Sequence, residues 1–196
     1  SASPAVAKAS PRKPLRRCDC RYEFRPRLPA SGERAGVRGG LKLSLTRPAT
    51  LIATGCGIGL MPAAPGTWAS LAALPVGWLV ASAFGVAGLL VAAAFMFSAG
   101  CWAAARVAEA SGIFDPGFVV IDEIAAQLLV LAACPLDWRF YLAAFLLFRI
   151  FDIGKPFPVN WLDRTVKGGF GIMVDDIAAA IYALILIAIG RGVSGV

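Results

Sequence analysis

The chain has 196 residues, 58% of them hydrophobic, a mean hydropathy of +0.72 and a net charge of +7. Soluble domains are about 45–50% apolar, so the excess points to lipid as the solvent for much of the surface. There is no histidine, which excludes a His triad, a phosphohistidine intermediate and a His-ligated zinc site. The positive charge is local: residues 1–50 hold 12 Lys and Arg against 3 Asp and Glu, whereas residues 51–196 are acidic by 2. Five scattered cysteines (Cys18, Cys20, Cys56, Cys101 and Cys134) lack zinc-site spacing and read as reduced thiols.

In chain order, residues 1–45 are rich in Arg, Pro, Ser, Gly and Ala without hydrophobic periodicity. Such a segment buries too little apolar surface to offset its ordering entropy, which predicts a disordered basic leader without the apolar region of a secretory signal. Its cations suit an anionic membrane surface, each worth up to about 1 kcal/mol near the headgroups; no nucleic-acid partner is expected. Residues 46–196 form the predicted membrane domain. It opens with an apolar run, 46–68, interrupted by Gly55, Gly57, Gly59, Pro62, Pro65 and Gly66, which predicts a re-entrant or interfacial loop. Five apolar helical stretches follow at about 68–83, 86–106, 119–134, 138–151 and 172–190. A crossing needs about 20 residues; the second and fifth stretches qualify, and 68–106 can also be divided differently around Phe84-Gly85. The expected class is all-α, a helical integral membrane protein.

Orientation follows from the cations. With the leader in the cytosol, counting crossings returns the 107–118 and 152–171 loops to that side, the latter with Lys155, Arg164 and Lys167. The same count places Asp122 and Glu123, Asp152, Asp175 and Asp176, and the 55–67 loop on the cytosolic face. Carboxylates at one level repel one another, which disfavours full ionisation without cations. A divalent metal resolves the conflict, and Mg2+ prefers oxygen ligands.

Adjacent helical residues point about 100° apart. Glu123 therefore aligns with Gln127 in a polar stripe, while Asp122 suits the helix start. Either Asp175 or Asp176 can face a metal; both follow the glycine-rich run Gly168-Gly169-Phe170-Gly171. Arg149 and Asp152 share a helix face at i, i+3. Lys155, before Pro156, is placed to reach a phosphate. Thr67 after Pro65-Gly66 is a predicted N-cap, and the free N–H groups of that helix start suit an anion. Other phosphatase chemistries lack their residues: no cysteine precedes an arginine with five residues between, and neither Asp-x-Asp nor Asp-x-x-Asp-Gly occurs.

Four segments carry a family resemblance: Gly57-Ile-Gly-Leu-Met-Pro62-Ala-Ala-Pro65-Gly66-Thr67-Trp-Ala-Ser70, Val120-Ile-Asp122-Glu123-Ile-Ala-Ala-Gln127, Phe148-Arg149-Ile-Phe-Asp152-Ile-Gly-Lys155-Pro156-Phe-Pro158, and Gly168-Gly169-Phe-Gly171-Ile-Met173-Val-Asp175-Asp176. In order and spacing, over about residues 46–190, they resemble the phosphatidylglycerophosphatase A family. Ala69, Ala126 and Ala179 stand where that family is expected to carry glycine, a small-for-small change that bears on helix packing.

The resemblance implies a bacterial inner-membrane, multi-pass enzyme with its site facing the cytosol. It would hydrolyse phosphatidylglycerophosphate to phosphatidylglycerol, with Mg2+ as cofactor and a bilayer phospholipid as substrate. On that reading the metal ligands come from Asp122, Glu123, Asp175 and Asp176. Asp152 adds a ligand or orients water, so that Asp152, Glu123 and Asp176 are the expected catalytic residues. Arg149, Lys155, Gly66, Thr67 and Ser70 bind phosphate. The rival readings are another magnesium-dependent lipid phosphatase or phosphotransferase, and a transporter relaying ions through its carboxylates.

Overall fold

The computed structural model describes residues 47–113 and 115–194; the predicted leader, with Cys18 and Cys20, lies outside the described residues. Among these the chain is all-helical: α1 (Pro48–Ala53), a 3-10 turn (Ile58–Leu60), α2 (Pro65–Ser111), α3 (Ile121–Leu131), α4 (Trp138–Gly154), α5 (Val159–Thr165) and α6 (Gly168–Ser194).

The segment predicted as loop, 46–68, is partly helical. Pro48 opens α1 at a position where its missing N–H costs nothing. The Thr54 hydroxyl donates to Thr50 O at 2.8 Å and accepts from the Gly57 N–H at 3.1 Å, holding the turn that follows. Helix α2 starts at Pro65, earlier than expected, with Ala64 at the cap position. Thr67 therefore lies inside the first turn and does not cap it, a correction to the sequence reading. A short helix, α5, occupies part of the expected 152–171 loop. Helix α6 begins at Gly168, so Asp175 and Asp176 sit about two turns into it and not at its start. Glycine has poor helix propensity, but Gly169 lies against Cys101 O and Ala105, and Gly171 against Val166 O, where a side chain would not fit. Packing overrides propensity there.

Helix α2 is not straight. Gly85 adopts φ 64°, ψ −160°, a conformation essentially reserved for glycine. The contacts on either side show the consequence. Gly66 lies against Glu123 near the start of α3, and Gly77 against Leu131 at its end. Beyond the break the order reverses, because Leu89 packs in the cluster with Leu128 and Leu131 while Gly100 meets Ile121. The two halves thus run antiparallel and flank α3. Each is about 20–26 residues, or about 30–39 Å at 1.5 Å per residue.

Helix α3 is the central post. Ile121, Asp122, Ala125, Ala126, Gln127, Leu128, Val130 and Leu131 are all buried. Ala179, Ala180 and Ala183 let α6 approach closely, and Phe148 of α4 and Val159 of α5 close the same cluster. Asp137 caps the start of helix α4, its carboxylate accepting from the Arg139 N–H at 2.8 Å. It stops at Lys155, which is left-handed, before Pro156.

The outer surface is apolar. Leu79, Phe84, Val91 and Phe95 of α2 are each at least 67% exposed, and exposing one such side chain to water forgoes about 1.5–3 kcal/mol. Helices α2 and α6 are both long and apolar enough to cross a membrane. A core helix of a soluble protein would be mostly buried, but only 11% of the most apolar stretch of α2 is. The exposed face is a lipid face.

Gly85→Ala tests the break. Its Cβ would meet nothing within 4 Å, so the penalty is conformational, about 1–3 kcal/mol. A lower thermal unfolding midpoint in detergent is the expected result, with specific activity retained below the transition.

Candidate active site

The helix directions bring separated polar residues to one end of the bundle. Asp122 and Glu123 occupy the first turn of α3, where carboxylates complement the helix dipole. Arg149 and Asp152 occupy the last turns of α4. Asp176 enters from α6. Oxygens of Asp122, Glu123 and Asp176 lie within 4.8 Å of one another. Arg149 Nη1 is 2.6 Å from Asp152 Oδ2 and 3.9 Å from Glu123 Oε1, and the Asp176 carboxyl also faces Asp152.

Gly66 completes this centre. The space its Cβ would occupy is taken by the Glu123 carboxylate, with Arg149 Nη1 3.4 Å from that point. The start of α2, whose first N–H groups have no partner within the helix, is thereby held against the acidic cluster. The Ser70 hydroxyl is turned away, donating to Gly66 O at 3.0 Å. Thr67 is half-buried in the same turn.

The adjacent acids divide their work. Asp122 and Glu123 both enter the cluster, although geometry on an ideal helix favoured Glu123 alone; Asp122 is 8% exposed and accepts from the Glu123 N–H at 3.0 Å. Asp176 joins them. Asp175 instead accepts from Lys155 Nζ at 3.0 Å, and Lys155 Nζ is also 3.1 Å from Asp163 Oδ1. Burial alone would lower the Lys155 pKa, but its hydrogen bonds and charge pairing with Asp175 and Asp163 raise it above the ordinary lysine value. A raised pKa means the stabilisation is complete below the unfolded value of about 10.4 and is lost only as pH climbs through the folded one. Lys155 therefore stays cationic through neutral pH.

Asp163 was not singled out from the sequence. Its signal was an acid in a loop otherwise marked by Lys155, Arg164 and Lys167. Gln127, on the Glu123 stripe as expected, is fully buried with neither amide atom partnered.

The donor set is chemically legible. Four acids (Asp122, Glu123, Asp152 and Asp176) gather with one guanidinium, which pairs with Asp152 and Glu123, and buried Glu123 Oε2 and Asp176 Oδ2 lack hydrogen-bond partners. Unpartnered buried carboxylate oxygens are costly. A hard divalent cation fits them, because such ions take oxygen ligands and offset the local charge. Asp122, Glu123 and Asp176 are the residues able to hold it.

Fold and site define an all-helical protein with membrane-type helices and a cluster of carboxylates able to hold a metal ion, with Arg149 beside it. The family model for phosphatidylglycerophosphatase A matches residues 51–191. The chain is 46% identical over 147 residues to phosphatidylglycerophosphatase A of Haemophilus influenzae, covering 74% of this chain and 90% of that protein. It is 39% identical over 150 residues to the Escherichia coli protein of the same name, covering 72% and 83%. A Bacteroides thetaiotaomicron protein, provisionally named phosphatidylinositol-3-phosphatase, is 42% identical over 156 residues, covering 74% and 94%. No solved structure matches the chain. The chain belongs to the phosphatidylglycerophosphatase A family.

Gly66→Ala would force the Glu123 carboxylate away from Arg149. A loss of phosphatase activity of at least about 10-fold is expected, comparable to disturbing the support of a metal ligand. Circular dichroism should show unchanged helix content.

Proposed function

We propose that the protein hydrolyses the terminal phosphate of phosphatidylglycerophosphate, giving phosphatidylglycerol and inorganic phosphate. One observation carries the reading: Asp122, Glu123 and Asp176 converge beside Arg149 and the start of α2. The likeness to two proteins named phosphatidylglycerophosphatase A supports the substrate.

Mg2+ is the proposed cofactor, held by Asp122, Glu123 and Asp176; when bound it would draw charge from the phosphate oxygens. Arg149, Lys155 and the first N–H groups of α2 bind the non-bridging oxygens. Ser70 steadies that turn through the Gly66 carbonyl. Asp152, paired with Arg149, orients a water and accepts its proton as the oxygen attacks phosphorus. The bond from phosphorus to the glycerol oxygen breaks, and that oxygen leaves with a proton from solvent. The acyl chains remain in the bilayer, which suits a centre at the ends of the helices.

The proposed setting is the bacterial cytoplasmic membrane, with several crossings and the site facing the cytosol. Lys155, Arg164 and Lys167 in the 152–171 segment, and the basic 1–50 segment, support that orientation. The basic segment is proposed to rest on anionic headgroups. A second reading takes another lipid monophosphate, favoured by the likeness to the protein provisionally named phosphatidylinositol-3-phosphatase.

Phosphate release by the purified protein in detergent with Mg2+ separates the two. Phosphatidylglycerophosphate should be cleaved with a higher kcat/KM than phosphatidylinositol 3-phosphate. Glu123→Gln and Asp176→Asn should each lower release by on the order of 100-fold or more, since each removes a group acting through the metal. Preference for the inositol lipid would establish the second reading, and full activity in both variants would overturn the metal centre.

A further inference from the structure

We propose that Asp163 is a positioning residue, holding the Lys155 ammonium at the mouth of the site so that its remaining donor meets the substrate phosphate. The inference rests on the phosphatase reading above. Lys155 sits where α4 ends, with φ 40°, ψ 60°. A glycine is ordinarily preferred in that left-handed position, and Gly154 is the residue before it. A lysine there accepts backbone strain, and its side chain supplies the reason. Nζ is gripped from two helices, by Asp163 of α5 at 3.1 Å and by Asp175 of α6 at 3.0 Å.

The two carboxylates are not equivalent. Asp175 has a side chain 10% exposed, and its neighbour Asp176 belongs to the metal cluster. Asp163 is 39% exposed, at the rim. An ammonium carries three donors. Asp175 and Asp163 take two, Asp115 adds a third carboxylate charge close to Lys155, and with Lys155 itself 34% exposed the remaining donor is assigned to a ligand arriving from the headgroup layer. Without Asp163, the four-carbon stem of lysine gains rotamers, and the ammonium is free to move wholly onto Asp175 or into water. With its charge already paired, the positioned ammonium offers a directed N–H donor, which suits a phosphate oxygen.

The test uses the full chain in detergent with Mg2+, comparing wild type with Asp163→Asn and Asp163→Glu. Mispositioning Lys155 forfeits its charge-assisted hydrogen bond to the substrate phosphate, about a tenfold effect. Asp163→Asn should raise KM for phosphatidylglycerophosphate about tenfold by that measure, with kcat changed less than KM. Asp163→Glu should restore most of the difference. A loss confined to kcat, an unchanged KM, or a loss that Glu does not rescue would overturn the proposal. A fall in thermal midpoint accounting for the whole activity loss would assign Asp163 a structural role and overturn it equally. If wild type releases no phosphate from this lipid, the substrate reading fails separately. Calorimetric titration with inorganic phosphate then decides the role of Asp163, with weaker binding by Asp163→Asn supporting it and equal binding overturning it.

Discussion

Four carboxylates and one guanidinium sit together at the end of an apolar helical bundle, and the rest of the structure is arranged around that concentration of charge. Placing such groups in a poorly solvated site is costly unless they are paired or bind a cation. Arg149 offsets part of the charge through Asp152 and Glu123. Under the proposed function a divalent ion would offset the remaining carboxylates where a substrate phosphate would also arrive. The constraint that threatens stability is therefore the one that creates reactivity.

The fold serves this constraint by making close approach possible. Gly66 lets the start of α2 touch Glu123, and Gly169 lets α6 lie against the second half of α2. Ala179, Ala180 and Ala183 bring α6 against the core cluster that includes Leu128 of α3. The break at Gly85 returns α2 along the other side of α3. Small residues set the backbone spacing, and the spacing brings the acids together. Large apolar side chains are turned outward to lipid, where they cost nothing.

The sequence made some of this legible. Positive charge in the loops indicated that Asp122, Glu123, Asp152, Asp175 and Asp176 share one end, because topology alternates regardless of which side chains do chemistry. Arg149 and Asp152 were readable as a pair from their i, i+3 spacing. Tertiary contact decided the rest. Periodicity could not divide Asp175 from Asp176, since the division depends on Lys155 reaching across from the end of α4. It favoured Glu123 over Asp122, but packing against α6 draws both inward. Helix α5 is too short to show a period, which hid Asp163. The starts of α2 and α6 are hidden in the sequence because Pro and Gly read as breaks, whereas neighbouring helices hold them helical.

The central claim is that α3 and α6 jointly hold a divalent cation, and direct ion binding tests it without reference to any lipid. Mn2+ titration of the detergent-solubilised protein, followed by electron paramagnetic resonance, counts the sites. Asp137→Asn is the matched control, because Asp137 caps the opposite end of α4 and asparagine caps equally well. The expected result is one strong site in wild type and Asp137→Asn, displaced by Mg2+ and weakened at least about 10-fold in Asp176→Asn. Equal binding in wild type and Asp176→Asn would contradict the account.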